Sequence, residues 1–204
     1  MATKKKSRRK TKKAKTKVRS KKARKTTKRS KAVKSTKRKA AAAKRAPKAP
    51  ARSKSATQLP DLTLATTGGK TIRLSDLKGK NVVLYFYPKD DTPGCTTEGC
   101  DIRDHFTEFG QRNTVVLGVS RDSVASHENF KAKFNFPFDL VSDPEEKLCR
   151  AFDVIRQKSL YGRTYMGVDR STFIFDTTGK LRKEFRGVKV PGHIDEILHE
   201  LGKL

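Results

Sequence analysis

Tyr85-Phe-Tyr-Pro-Lys-Asp-Asp-Thr-Pro-Gly-Cys-Thr-Thr-Glu-Gly-Cys100 carries an apolar run into a turn and sets two cysteines at the start of a helix. The run begins at Asn81, is rich in valine and aromatic residues, and is bounded by Gly79 and Pro88, as a buried strand would be. Thr92 suits an N-cap and Pro93 the first helical position. Further on, Ile102, His105, Phe106 and Phe109 recur at i, i+3, i+4 and i+7, along one helical stripe that Gly110 is placed to end.

Working outward, residues 114–119 form a second apolar strand, and strand, helix, strand in succession implies a parallel crossover unit. The unit repeats, with a helix over 123–134 and a short strand over 138–141. Asp143-Pro144-Glu-Glu then opens a helix with an N-cap, an N1 proline and acids in its first turn, presenting Leu148, Ala151 and Phe152 inward. Upstream, residues 62–64 and 71–74 flank Gly68-Gly69 as a short hairpin. Downstream, residues 171–175 and 181–185 pair through Thr178-Gly179. Ile194, Ile197, Leu198 and Leu201 define a closing amphipathic helix. The fold class is therefore α/β, a sheet with both parallel and antiparallel neighbours covered by helices.

The ends of the chain differ sharply. Residues 1–58 hold 27 of the 49 Lys and Arg and none of the 21 acidic residues, leaving 22 basic against 21 acidic side chains in residues 59–204. All 11 Phe and all 4 Tyr lie in the second part. Only that part can bury enough apolar area to offset chain entropy, so we expect a disordered basic tail over 1–58 and one domain over 59–204. The run Val82 to Tyr87 is far too short for a bilayer span of about 20 residues, and no apolar core of a secretory signal follows Met1. Three cysteines are too few for a disulfide scaffold, which favours a reducing compartment in which a thiol pair can be catalytic.

Cys95 falls in the first helical turn, where free N–H groups and the positive end of the macrodipole favour a thiolate. Cys100 is five positions on, a Cα separation of roughly 8.5 Å in an intact helix. Disulfides rarely exceed about 6.8 Å, so the two could pair only if the helix start unwinds. Gly94 and Gly99 lower the cost of that change. Two unrelated helix cysteines remain an alternative at this point. A zinc site using His105 lacks the second C-x-x-C or H-x-x-x-H pair that would complete its shell. Cys149 reads as a small buried hydrophobe, and His105, His127, His193 and His199 as partly exposed residues.

Pro88-Lys-Asp-Asp-Thr92-Pro-Gly-Cys95 resembles the P-x-x-x-T-x-x-C signature of the peroxiredoxins. The continuation Cys95-Thr-Thr-Glu-Gly-Cys100 resembles their bacterioferritin-comigratory, or Q-type, subgroup. The similarity runs on through Val116-Leu-Gly-Val-Ser120, Leu140-Val-Ser-Asp143 and Arg170-Ser-Thr-Phe-Ile-Phe-Asp176. It implies a thioredoxin-like fold, no cofactor, and a monomeric thiol peroxidase that reduces hydrogen peroxide and organic hydroperoxides and is reduced in turn by thioredoxin. It also implies roles. Cys95 attacks the peroxide, Cys100 captures the resulting sulfenic acid as a disulfide, and Thr92 hydrogen-bonds peroxide and thiolate. Pro88 shields the sulfur, Arg170 stabilises the developing charge, and Glu98 orients Arg170.

The tail resembles the Lys-, Ala- and Pro-rich tails of linker histones and some bacterial histone-like proteins. A polycation of this kind binds nucleic acid through phosphates, whatever the sequence. We expect it to hold the peroxidase on DNA, in the cytoplasm at the nucleoid of a bacterial cell or in a eukaryotic nucleus. The competing functional class is a DNA-compacting protein whose folded domain is a redox sensor. A general disulfide oxidoreductase is a weaker third, for want of C-x-x-C.

Overall fold

The computed structural model describes residues 56–160 and 162–204. The basic tail expected over 1–58 lies almost wholly outside them. Nine strands and five α-helices follow in the described chain, with one 3-10 turn at Leu74–Leu77: β1 (Thr63–Thr66), β2 (Lys70–Arg73), β3 (Asn81–Phe86), α1 (Pro93–Asp104), α2 (Phe106–Gln111), β4 (Thr114–Ser120), α3 (Val124–Phe134), β5 (Asp139–Ser142), α4 (Lys147–Ala151), β6 (Ile155–Leu160), β7 (Arg163–Val168), β8 (Ser171–Phe175), β9 (Leu181–Arg186) and α5 (His193–Leu201).

Seven strands form one mixed sheet in the order β2-β1-β5-β4-β3-β8-β9. The centre, β3-β4-β5, is parallel, as the crossover argument requires, and both edges are antiparallel. Every residue of β3 is buried, and successive side chains serve opposite faces. Val82, Leu84 and Phe86 join Phe152, Phe173 and Phe175 in one core cluster. Val83, Tyr85 and Tyr87 join Cys95, Ile102, Phe109 and Phe130, with Ile194, Ile197, Leu198 and Leu201 of α5, in the other. Each fully buried side chain of this size contributes about 1.5–3 kcal/mol, which makes β3 the main anchor of the fold. The arrangement is that of a thioredoxin-like α/β domain.

Three elements depart from expectation. The helix anticipated from Asp143-Pro144 starts only at Lys147, because Pro144 and Glu145 form a turn and Glu146 sits at φ 58°, outside the helical region. Asp143 still caps, but by accepting a hydrogen bond from the backbone N–H of Cys149 at 2.8 Å. The helix expected to run to Gly110 breaks at His105, whose φ of −102° and ψ of 11° end α1 and start α2. Its ring Nδ1 meets the Asp101 carbonyl at 2.8 Å, and Gly110 lies inside α2. The β6–β7 hairpin has no counterpart in the sequence reading. Its strands carry Arg, Gln, Lys, Ser and Thr with little apolar alternation, and Tyr165 and Met166 stay exposed.

Candidate active site

The parallel strands end on one side of the sheet, where loops following β3 and β4 meet, the usual place for a site in an open α/β sheet. The β3 loop, residues 88–92, leads straight into α1. Cys95 stands in the first turn of α1 and is only 2% exposed. Thr92 does occupy the N-cap position, and its carbonyl accepts the first helical bond from Thr96 at 2.8 Å. Its hydroxyl makes no side-chain cap, however, and donates instead to the Lys89 carbonyl at 3.0 Å, within the loop. Pro88 is half-buried at the loop's entrance.

Arg170 reaches the same point from 75 residues away, carried there by sheet register. β8 runs antiparallel to β3 with Ser171 opposite Phe86, so the residue before β8 faces the residues after β3. Arg170 Nη2 donates to Cys95 Sγ at 3.2 Å, and Nη1 donates to Glu98 Oε2. The guanidinium therefore bridges the sulfur and a carboxylate one turn further along α1. Gly94 makes room for it: a Cβ there would lie 3.3 Å from Arg170 Nη2.

The pair is largely removed from solvent, with side chains 14% and 1% exposed for Arg170 and Glu98. Burial raises the Glu98 carboxyl to about 7, in spite of the stabilising Arg170 charge and hydrogen bond. Burial also works against the Arg170 cation, but Glu98 and Cys95 outweigh it and hold its pKa above the ordinary value. Tyr85 lies close enough for Glu98 and Cys95 to add to the effect of burial on its hydroxyl, which stays protonated well above the usual range.

Cys100 is half-buried on the same helix and packs against the core cluster that holds Ile102, Phe130, Phe136 and Phe138. α1 is continuous from Pro93 to Asp104, and all three cysteines are free thiols. Cys149 is fully buried in the cluster on the other face of the sheet, and burial drives its thiol pKa far upward, with Asp143 adding to the effect. It is inert by environment.

The histidine reading needs correction. His127 and His193 are buried rather than partly exposed, and each finds polar partners: the buried Asp90 and the Val141 carbonyl for the first, the buried Thr172 and the exposed Glu196 for the second. Among the described residues no group of three or more His, Cys, Asp or Glu converges as a metal site, and no helix is long and apolar enough to cross a membrane.

The chain is similar to known proteins in sequence and in fold. A sequence profile of the AhpC/TSA family matches residues 56–184. The chain is 54% identical over 142 residues to peroxiredoxin Bcp of Bacillus subtilis, covering 70% of this chain and 90% of that one. It is 51% identical to peroxiredoxin Bcp of Xanthomonas campestris, over 69% of this chain and 88% of that protein. The structure of X. campestris peroxiredoxin Q superposes with a TM-score of 0.69 at 48% identity, covering 73% of this chain and 97% of that one. The chain belongs to the AhpC/TSA family and, within it, to the peroxiredoxins of the Bcp, or Q-type, group.

Proposed function

We propose that the chain is a thiol-dependent peroxidase in which Cys95 is the peroxidatic residue. The observation that carries this reading is the Arg170 guanidinium 3.2 Å from Cys95 Sγ at a helix N-terminus, since it sets a cation where negative charge passes from sulfur to peroxide oxygen during attack. The Cys95 thiolate attacks the terminal oxygen of a hydroperoxide. The O–O bond breaks, the sulfur is oxidised to a sulfenic acid, and the other oxygen leaves as water or an alcohol after taking up a proton. Arg170 stabilises the negative charge as it moves from sulfur to leaving oxygen. Pro88 and Thr92 line the approach, Thr92 with hydroxyl lone pairs left for the peroxide while its proton faces Lys89. Related X. campestris bacterioferritin comigratory protein has a described alkyl peroxide reduction activity, which supports organic hydroperoxides as substrates.

Cys100 then condenses with the sulfenic acid, releasing water and forming a disulfide, and a dithiol reductant of the thioredoxin type restores both thiols. The continuous α1 of the reduced chain must open for this step, since the two positions are too far apart within a helix. The test is peroxide consumption with thioredoxin as reductant. Cys95→Ser should be inactive, and undiminished turnover would rule the mechanism out. Cys100→Ser should still form one sulfenic acid per chain but turn over poorly, whereas full thioredoxin-dependent activity would remove Cys100 from the resolving role.

A further inference from the structure

The loop between Pro88 and Thr92 is shaped largely by a carboxylate at its centre. Asp90 is buried, and its two oxygens gather three side chains: Tyr87 Oη donates to Oδ1 at 2.8 Å, Ser126 Oγ donates to Oδ2 at 2.6 Å, and His127 Nδ1 lies 2.9 Å from Oδ2. The Asp90 backbone N–H donates to Asp122 Oδ2 at 2.8 Å, and the same oxygen accepts from Ser120 Oγ. The ends of β3 and β4 and the start of α3 thus meet on one residue of the loop.

His127 extends the network across the sheet. Its side chain is fully buried, and Nε2 sits 3.2 Å from the Val141 carbonyl of β5. A carboxylate faces one ring nitrogen and a carbonyl the other. The Tyr87 hydroxyl also lies 3.4 Å from Nδ1, so carboxylate, hydroxyl and carbonyl together enclose the ring, and Nδ1 is the atom placed to donate to the Asp90 carboxylate. Burial opposes the Asp90 carboxylate, but hydrogen bonds from His127, Ser126 and Tyr87 outweigh it and hold its pKa below the ordinary value. Burial, with Tyr85 and Asp90, keeps the Tyr87 hydroxyl protonated and hence a donor.

The loop needs such a hold. Asp91 adopts φ 53°, a left-handed conformation unfavourable for a side chain with a Cβ, and its own tie is an exposed ion pair to Lys133. Exposed pairs of this kind contribute little. We propose that the Asp90–His127 pair is a positioning clasp for the peroxide-binding loop, tying Asp90 to α3 and β5 so that Pro88 and Thr92 are held in register with Cys95. The proposal rests on the peroxidase reading above.

The test compares reduced, full-length wild type with Asp90→Asn, His127→Leu and His127→Asn. Two rates are measured at Cys95: oxidation by hydrogen peroxide, and alkylation by iodoacetamide, which needs the thiolate but not the loop. Asp90→Asn and His127→Leu should slow oxidation by at least about tenfold while alkylation stays within about twofold. His127→Asn, whose amide supplies a donor near the Nδ1 position, should recover part of the loss. An unchanged oxidation rate in His127→Leu, or an equal fall in both rates, would overturn the clasp. Nitrogen-15 NMR of the wild type should find a proton on His127 Nδ1, shared with the Asp90 carboxylate, and a ring protonated only at Nε2 would overturn the clasp even if the variants misfold. If the wild type itself leaves peroxide untouched, the peroxidase reading fails instead. Amide hydrogen exchange at residues 89–91 still decides the clasp, because unchanged protection in His127→Leu would refute it.

Discussion

At the scale of single residues, the site turns on one guanidinium shared between a sulfur and a buried carboxyl. Arg170 uses separate nitrogens for Cys95 and Glu98, a fork that a lysine ammonium does not reproduce. Arg170→Lys should therefore lower kcat/KM for hydrogen peroxide by about 10²–10³-fold, and a loss below tenfold in steady-state assays would show that charge alone suffices. Glu98 makes a second, pH-dependent prediction. With its folded-state carboxyl at about 7 against an ordinary value of 4.5, the folded chain holds a proton there that the unfolded chain has already lost. The associated stability is complete below the unfolded value and is lost as pH rises through the folded one, a span of about 3 kcal/mol. Urea denaturation of the reduced protein at pH 5 and pH 8 should show this fall in wild type and a much smaller one in Glu98→Gln. Equal falls in the two proteins would place the titration elsewhere.

At the scale of elements, α1 must be firm enough to present Cys95 yet able to release Cys100. Its second half is seated on aromatic rings. A Cβ on Gly99 would come 2.5 Å from Phe136 Cζ, and Arg103 Nη1 donates to the Phe134 carbonyl at 2.9 Å. Phe136 is itself stacked on Phe138 and meets Phe130 edge-on, so it has little room to retreat. Gly99→Ala gains about 1 kcal/mol of helix propensity but forces an overlap costing about 1–3 kcal/mol, and the balance should favour the undocked helix. After one equivalent of peroxide, rapid-quench mass spectrometry should then find the Cys95–Cys100 disulfide forming faster than in wild type. Slower formation would mean that docking assists resolution. Sequence alone made much of this level legible. The Val and aromatic run of β3 and the α5 stripe announce themselves because burial leaves a local apolar pattern. The β6–β7 hairpin did not, since its pairing satisfies backbone groups without an apolar pattern to mark it. Nor did local sequence bring Arg170 to Cys95. That contact is made by β3–β8 register, and only the family resemblance anticipated it.

At the scale of the whole molecule, the charge is divided as sharply as the chemistry. All 27 basic residues of the first 58 lie at or before Lys54, while the remainder is nearly balanced. The Bcp relatives are matched over about nine-tenths of their own length by an alignment that spans 69–70% of this chain. The place to cut follows from hydrogen bonds. The Ala56 N–H donates to the Ala151 carbonyl, and the Leu181 N–H to the Thr57 carbonyl, so residues from Ala56 onward belong to the domain. We propose that residues 1–55 bind nucleic acid. If about ten of their charges engage phosphates, log K should fall with log salt at a slope of roughly −9 for the full chain. Deleting 1–55 should abolish that slope and most of the affinity for duplex DNA, while peroxide turnover stays within about twofold because no site residue is lost. Fluorescence anisotropy across a salt series reads the first quantity and a peroxidase assay the second. Unchanged DNA affinity and slope after deletion would end the DNA role. A full-length chain that compacts DNA yet shows negligible turnover would favour instead a redox-sensing DNA protein, since both readings use the same two cysteines and differ only in whether the cycle closes.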